Sequence, residues 1–305
     1  MSCLYFLERI RMPGLNEFML AITTLGGEAA FLVVALVLFW CVNKKMGYYV
    51  LSVNFIGTIG VQFLKLWFRI PRPWVLDPNF TILEQAREAA SGYSFPSGHT
   101  MSSVATFGAL AHTTKNKVIR WVCIAIAVLV PFSRMYVGVH TPKDVLVSAV
   151  LAVLLILLLK PVVFSKKRDL MPALLVGMTA LAVAFLCFVS FYDFPADVDP
   201  HNMYSGLKNA CTLLGALVGF LVVYMVDKRY LNFPTEAVWW AQILKAAIGL
   251  ALVLGVKSGL KAPLEAVFGE FPGRSVRYFL IVIVAGIVWP FSFKWFAKLG
   301  KRKEQ

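Results

Sequence analysis

The sequence predicts an all-α protein, a polytopic bundle of helices embedded in a membrane. Hydrophobic residues make up 59% of the 305 residues and charged residues only 15%. A soluble domain of this length would need a much larger polar surface. Apolar stretches of about 20 residues, the length at which a helix crosses a bilayer, recur along the whole chain. The composition therefore excludes an ordinary soluble globular domain.

Nine segments are predicted to span the membrane. The first of them contains Gly26, Gly27 and Glu28, which predict a broken or partly re-entrant helix. The nine segments are 17–42, 46–68, 98–114, 118–133, 143–164, 170–191, 206–226, 236–256 and 275–297.

Basic residues fall in short clusters on alternate connections between these segments. Because Lys and Arg are retained on the cytoplasmic side, this pattern accounts for the formal net charge of +14 without a nucleic-acid partner. The other side, which is not cytoplasmic, then receives the N-terminus and the loops 69–97, 134–142, 192–205 and 257–274. The clusters contain Lys44, Lys45, Lys115, Lys117, Arg120, Lys166, Lys167, Arg168, Lys228 and Arg229, and the basic tail adds Lys294, Lys298, Lys301, Arg302 and Lys303.

The N-terminal stretch and the cysteines predict no processing signal or metal site. Residues 1–18 lack the pattern of a signal peptide and are typical of an amphipathic segment that lies at the membrane interface. The five cysteines are scattered and show no metal-ligand spacing, so we expect neither a disulfide framework nor a zinc site. No metal or other cofactor is expected.

Three clusters of polar residues stand out on or beside the predicted external loops. They read KLWFRIPRP at 65–73, PSGH at 96–99 and SRMYVGVHTPKD at 133–144. Counting of spans places all three at one face of the membrane. These clusters are therefore candidates for a single site.

The cations of these clusters suit a phosphoryl group. Taken singly, Lys65, Arg72 and Arg134 are also consistent with charges at helix ends or with side chains that snorkel to the interface. Three cations at one face favour a function, since Arg presents a planar fork to phosphate oxygens and Lys a compact charge.

PSGH predicts the start of a helix that faces an anion. Ser97 stands at the N-cap position and Gly98 lets the backbone approach a ligand closely. The N-terminus of a helix presents free N–H groups to an anion. Pro96 and Ser97 alone would also fit an ordinary capped helix. His99 adds a group that can donate a proton to a leaving oxygen.

The third cluster supplies a candidate nucleophile. A neutral His140 can attack phosphorus, and Asp144, four residues later, can hold the other ring nitrogen. The alternative is that Asp144 is only a capping-box acid, because Thr141 and Pro142 suit the start of the next helix.

At this point the residues resemble a known family. The clusters are similar to the three signatures of the type 2 phosphatidic acid phosphatases (PAP2), K-x6-RP, PSGH and SR-x5-H-x3-D, with every signature position filled. The resemblance implies a metal-independent membrane phosphatase, a phosphoric monoester hydrolase that works through a phosphohistidine. It implies catalytic roles for His140, His99 and Asp144 and phosphate binding by Lys65, Arg72, Ser97, Gly98 and Arg134, with Ser133 also placed in the phosphate pocket.

The length of the chain leaves the substrate open. Residues 1–168 are predicted to form the PAP2-like core with the interfacial segment, and residues 169–305 the additional helices and the basic tail. The fold as a whole is predicted to be a six-helix PAP2-like core with about three added C-terminal spans. A lipid phosphate or diphosphate is the expected substrate. The nine-span layout also resembles the glucose-6-phosphatase and sphingosine-phosphate phosphatase branch, so a soluble sugar phosphate is an alternative, and a transporter is the alternative from another class.

The expected location is a cell membrane, with a bacterial cytoplasmic membrane favoured and the site on the non-cytoplasmic side. Membrane lipids are therefore expected partners. The sequence indicates no oligomeric state.

Overall fold

The computed structural model of the chain describes residues 1–88, 90, 92–196 and 198–299, and these residues form helices and no strand. The predicted all-α class is thus confirmed. The α-helices in chain order are α1 Ser2–Arg9, α2 Pro13–Thr24, α3 Glu28–Val37, α4 Lys44–Phe68, α5 Pro73–Leu76, α6 Gly98–Ser103, α7 Ala109–Thr113, α8 Lys117–Tyr136, α9 Pro142–Val163, α10 Met171–Phe191, α11 Pro200–Val226, α12 Trp239–Gly259, α13 Lys261–Phe268, α14 Glu270–Ile283 and α15 Phe293–Phe296. Turns of π-helix at Leu38–Val42, Val104–Gly108, Asp227–Leu231 and Val284–Val288 continue several of them.

Seven helices within the described residues are long and apolar enough to cross a membrane. A further candidate is the pair formed by Pro13–Thr24 and Glu28–Val42, which is bent by 53°. The bend falls at Gly26 and Gly27, where the sequence predicts a break. The seven helices are Lys44–Leu76, Lys117–Tyr136, Pro142–Val163, Met171–Phe191, Pro200–Leu231, Trp239–Phe268 and Glu270–Phe296.

The predicted total of nine spans is not confirmed, because the described residues supply seven or eight. The missing span is the third, 98–114. Its helix runs from Gly98 through the π-turn to Thr113 and is about 24 Å long at 1.5 Å per residue. That length falls short of a hydrocarbon core of about 30 Å. Lys301, Arg302 and Lys303 of the predicted basic tail lie outside the described residues.

The chain divides into two compact units. The first contains Met1–Leu32, Val50–Pro161 and Tyr192–Gly206, and the second contains Val33–Tyr49, Val162–Phe191 and the described part of Leu207–Gln305. Every residue that the sequence assigns to the site belongs to the first unit.

In the first unit, the N-terminal segment packs against the two loops that carry the motifs. Leu4 of α1 is fully buried beside Phe80 of the long loop. Arg11 donates from Nη1 to the carbonyl of Thr81 at 2.9 Å and from Nε to that of Tyr136 at 3.0 Å. Gly138 has a φ of 89°, and a Cβ there would lie 2.8 Å from Nη2 of Arg11. Only glycine therefore fits where the third motif turns back toward the site.

In the second unit, aromatic side chains fill the space between helices. Trp40 is fully buried and donates from Nε1 to the carbonyl of Ala285 at 2.8 Å. Trp289 donates to the carbonyl of Lys245 at 3.1 Å. A Cβ on Gly249 would lie within 2.7 Å of atoms of both indoles, so the absence of a side chain allows this close packing.

Candidate active site

The first motif contributes two buried cations from the end of α4 and the start of α5. Lys65 lies in the last turns of α4 and donates to the carbonyl of Tyr93. Arg72 is the N-cap residue of α5, and its Nε donates to the carbonyl of Gly92 at 2.9 Å. Both cations thus hold the segment that leads into the second motif.

The second motif begins α6 with the predicted cap. The Ser97 hydroxyl accepts a hydrogen bond from the Thr100 N–H at 3.3 Å. The Ser97 N–H donates to the carbonyl of Asp144 at 3.2 Å, which joins the second motif to the third. A Cβ on Gly98 would meet no atom within 4 Å, so the backbone here has open space beside it. His99 is partly exposed, in contrast to the buried Ser97.

The third motif starts inside α8. Arg134 is fully buried and donates from Nη1 to the hydroxyl of Thr23 at 2.8 Å. Its Nε and Nη2 have no hydrogen-bond partner among the described residues. Ser133 donates its hydroxyl to the carbonyl of Val130 at 2.7 Å, which is a bond within its own helix.

His140 lies in the turn between α8 and α9 with Arg72 on one side and Asp144 on the other. Nη1 of Arg72 is 3.0 Å from Nε2 of His140 and also donates to the carbonyl of Val139 at 2.9 Å. Because a guanidinium only donates, Nε2 must be the acceptor and carries no proton. In a neutral ring the proton is then on Nδ1, which lies 3.5 Å from Oδ2 of Asp144.

Asp144 forms the capping box that the sequence allows, and its carboxylate also lies beside the ring of His140. Its Oδ2 accepts the N–H of Thr141 at 2.8 Å, and the Thr141 hydroxyl accepts the N–H of Asp144 at 3.3 Å. This is the reciprocal pattern of a capping box. The same Oδ2 accepts the Ser94 hydroxyl at 2.6 Å and faces the ring of His140. The cap therefore fixes the carboxylate at the position from which it can orient the histidine.

The electrostatics keep His140 neutral. Burial is the largest cause that lowers the pKa of His140 well below its ordinary value, and the positive charges of the nearby arginines and Lys65 add to it. A neutral imidazole retains the lone pair that a nucleophile needs. Arg134 acts on His140 through its charge, while Arg72 also touches the ring.

The sequence does not single out Thr23 or Ser94, although each contacts a predicted site residue. Thr23 lies in α2, far from the motifs along the chain, and nothing in its spacing indicates a partner. Ser94 lies two residues before Pro96, and that proximity to the second motif is the signal that could have found it. No group of three or more His, Cys, Asp or Glu in the described residues is arranged to hold a metal ion.

The arrangement of a histidine and an aspartate amid fixed cations suits the binding of a phosphoryl group. Comparison with known families agrees with it. Residues 45–168 match the PAP2 superfamily, and residues 211–302 match the transmembrane extension of PAP2 superfamily phosphatases.

Named relatives support the same assignment. Phosphatidylglycerophosphatase B of Bacillus subtilis is 32% identical over 164 residues, which are 50% of this chain and 76% of the relative. Undecaprenyl-diphosphatase BcrC of Bacillus subtilis is 31% identical over 41% of this chain and 64% of the relative. Sphingosine-1-phosphate phosphatase 2 of Homo sapiens is 26% identical over 83% of this chain and 59% of the relative. The chain belongs to the PAP2 superfamily and is a phosphatase of that family.

The relatives are covered to different extents. The aligned part reaches over two thirds of the length of the first relative, but less than two thirds of the other two. No solved structure gives a significant match to the chain.

Proposed function

We propose that the protein is a multi-pass membrane phosphatase that hydrolyses a phosphate monoester or diphosphate of a lipid through a phosphohistidine on His140. The observation that carries the proposal is the position of His140 between Arg72 and Asp144. The arginine contact leaves Nε2 unprotonated, and the carboxylate lies beside Nδ1. An imidazole held in this tautomer presents a lone pair to phosphorus.

In the first step, Nε2 of His140 attacks phosphorus and the bond from phosphorus to the lipid oxygen breaks. The leaving oxygen takes a proton from His99, which is the partly exposed histidine of the second motif. Burial and the nearby cations lower the pKa of His99 to about 3, so the negative charge of the bound phosphoryl group must raise that pKa for the ring to carry the proton. The positive charge that develops on His140 is stabilised by Asp144. Arg72 must leave Nε2 and bind a phosphoryl oxygen instead. Binding of the substrate therefore frees the lone pair of Nε2 for attack.

In the second step, water attacks phosphorus and the N–P bond breaks. His99, now neutral, accepts the proton of the water, and Nε2 recovers its lone pair. Inorganic phosphate leaves, and Arg72 can return to Nε2. Both histidines end the cycle in the protonation states in which they began it.

The buried cations supply the electrostatic part of the catalysis. Lys65, Arg72 and Arg134 would bind the non-bridging oxygens, whose charge is the main target of stabilisation in phosphoryl transfer. Ser97 and Gly98 would add hydrogen bonds from the start of α6, where the backbone has open space beside it. These three side chains carry positive charge without a metal, so the proposed mechanism needs none.

The names of the relatives favour a lipid substrate. They describe phosphatases of phosphatidylglycerophosphate, undecaprenyl diphosphate and sphingosine-1-phosphate, all of which are lipids. We extend that substrate class to this chain.

We also place the division between the catalytic core and the added helices near residue 168, where the PAP2 match ends. All predicted site residues precede that position.

The charge pattern of the sequence supports a location for the site. If the basic clusters mark the cytoplasm and the short helix that begins at Gly98 crosses the membrane with the longer ones, the three motifs face the opposite side of a cell membrane, with a bacterial cytoplasmic membrane favoured. Two of the relatives above come from a bacterium. A substrate headgroup would then be hydrolysed at the external leaflet.

The test is phosphate release by the purified protein in detergent, in the presence of a chelator. The substrates are phosphatidic acid, phosphatidylglycerol phosphate, sphingosine 1-phosphate, a prenyl diphosphate and glucose 6-phosphate. We expect turnover of at least one lipid substrate, no loss of rate in chelator, and an acid-labile phosphoenzyme in wild-type protein that is missing from His140→Asn.

Two results would contradict the proposal. Turnover of glucose 6-phosphate alone would favour the sugar-phosphate alternative and overturn the substrate class. Wild-type turnover by His140→Asn would show that another group is the nucleophile.

A further inference from the structure

The break in the bent helix pair lies directly against the second motif and against α8, the helix in which the third motif starts. A Cβ on Gly26 would lie 2.9 Å from the backbone oxygen of His99 and 2.7 Å from Cγ1 of Val130. Neither distance leaves room for a side chain. The backbone between α2 and α3 therefore touches the second motif and the helix that carries the third.

The same segment supplies a hydrogen-bond acceptor to a buried arginine. Oγ1 of Thr23 accepts from Nη1 of Arg134 at 2.8 Å, and both side chains are buried, with 6% and 0% of their surface exposed. Nε and Nη2 of Arg134 have no hydrogen-bond partner among the described residues. One corner of the guanidinium is thus fixed while its other edge is unengaged.

The fixed corner decides how the arginine can meet a phosphoryl group. A guanidinium binds two oxygens of an anion with two parallel N–H groups on one edge. With one N–H of Nη1 bonded to Thr23, the Nε–Nη2 edge is the edge whose two nitrogens both lack a partner among the described residues, and it can form such a pair of bonds. A rotation of the guanidinium that offered a different edge would break the bond to Thr23.

We propose that Thr23 is a positioning residue for phosphoryl transfer, which acts by orienting Arg134. Thr23 lies outside the three motifs and before residue 45, where the PAP2 match begins. The N-terminal helix pair thereby takes part in construction of the site. The inference rests on the proposed function, because it assigns Arg134 to the phosphoryl oxygens.

The test compares three single substitutions. Thr23→Val keeps the shape of the side chain but removes the acceptor, and Thr23→Ser restores the hydroxyl. Thr24→Val is the matched control, since the neighbouring Thr24 is exposed and donates its hydroxyl to the carbonyl of Ala21 within the helix at 2.7 Å. We measure kcat and KM, inhibition by phosphate and by vanadate, and the unfolding temperature in detergent.

The expected result is a loss of about tenfold or more in kcat/KM for Thr23→Val, the usual effect of a lost hydrogen bond to a charged group. Inhibition by vanadate, which adopts the five-coordinate geometry of the transition state, should weaken more than inhibition by phosphate. Thr23→Ser and Thr24→Val should stay close to wild type. In an Arg134→Lys background, which has no Nη1, Thr23→Val should have no further effect.

Several outcomes would overturn the inference. Among them are equal rates for Thr23→Val and Thr24→Val, failure of Thr23→Ser to restore the rate, and an undiminished effect of Thr23→Val in Arg134→Lys. If the wild-type protein released no phosphate, the proposed function would fail first. The rise of the unfolding temperature with vanadate would then decide the inference, since loss of that rise in Thr23→Val supports it and retention refutes it.

Discussion

Each of the two compact units buries basic side chains, but the partners of those side chains differ. In the second unit, Lys44 lies 2.9 Å from both carboxylate oxygens of Asp227, and Nη1 of Arg277 is 3.6 Å from Oε1 of Glu265. In the first unit, Lys65 donates to a backbone carbonyl and Arg134 to the hydroxyl of Thr23. Lys44 and Arg277 of the second unit thus pair with carboxylates, whereas the hydrogen-bond acceptors of Lys65 and Arg134 in the first unit are neutral.

The difference matters because a buried charge is costly unless an opposite charge balances it. For Lys44 and Arg277 of the second unit, the carboxylates of Asp227 and Glu265 provide that balance. In the first unit, three buried cations, Lys65, Arg72 and Arg134, share the single nearby carboxylate of Asp144 among the described residues, so positive charge is in excess there. Lys245 shows that an internal partner need not be an acid, since it donates to the carbonyl of Thr235 at 2.9 Å and lies 4.5 Å from the ring centroid of Phe293.

The largest expected effect comes from removing His140, the proposed nucleophile, which lies among the buried cations. His140→Asn should lower turnover at least about a thousandfold, because its neighbours cannot act without it. Phosphate release and trapping of the phosphoenzyme measure this effect.

His201→Asn is the control for that substitution. His201 belongs to the same unit and is exposed in the first turn of α11. Its removal should leave turnover close to wild type. A loss of less than tenfold in His140→Asn would show that the cations serve some other chemistry.

Two substitutions, one of a cation in each unit, test the comparison between the units directly. Arg134→Gln should lower turnover by about a hundredfold, the usual loss when one charge-stabilising donor is removed. It should leave the unfolding temperature unchanged or higher, because a buried charge without a carboxylate partner is removed.

Lys44→Gln should do the reverse. It leaves Asp227 buried without its cation, so the free energy of unfolding should fall by roughly 3 kcal/mol while turnover stays close to wild type. Turnover and denaturation in detergent are measured on both variants. Equal destabilisation by the two substitutions would break the comparison, since Arg134 would then be structural as well.

A smaller effect is expected from Asp144→Asn. It weakens the partner of Nδ1 on His140, and loss of such an orienting group typically costs about tenfold to a hundredfold in activity. The measurement is kcat at saturating substrate.

Thr141→Val separates the two roles of Asp144. It removes the hydroxyl of the capping box and should cost about 1 kcal/mol of stability with little change in turnover. If Thr141→Val lowered kcat as much as Asp144→Asn, the carboxylate would matter only as a cap.

The smallest expected effect is on the pH dependence of stability. The pKa of His140 is lowered in the folded protein, so the native state resists protonation of this ring while the unfolded chain accepts a proton near its ordinary pKa of about 6.5. Stability from this group is therefore present above that pH and is lost as the pH falls below it. Between pH 7 and pH 5, the unfolding temperature of wild type should fall more than that of His140→Asn. Equal slopes would show that the environment does not disfavour the charged ring.

Local features of the site could be predicted from the sequence. The cap by Ser97 and the capping box of Thr141 and Asp144 depend on residues three positions apart, and both are present. The break at Gly26 and Gly27 is also local, because adjacent glycines and a charged residue interrupt an apolar helix. The helix that begins at Gly98 also ends close to its predicted position, at Thr113 against a predicted 114. The error was to count so short a helix as a full membrane span.

The sequence by itself determined the all-α membrane class, the phosphatase family and the three motifs, since hydropathy, caps and motif spacing are properties of neighbouring residues. Only the tertiary structure decided which atoms meet. The contact of Arg72 with Nε2 of His140 joins residues 68 positions apart, and that of Arg134 with Thr23 joins residues 111 positions apart. Such pairs arise from the packing of helices and loops, and no local pattern records them. The same reason explains why the sequence predicts three cations at one face but does not show which edge of each guanidinium is left for a phosphate.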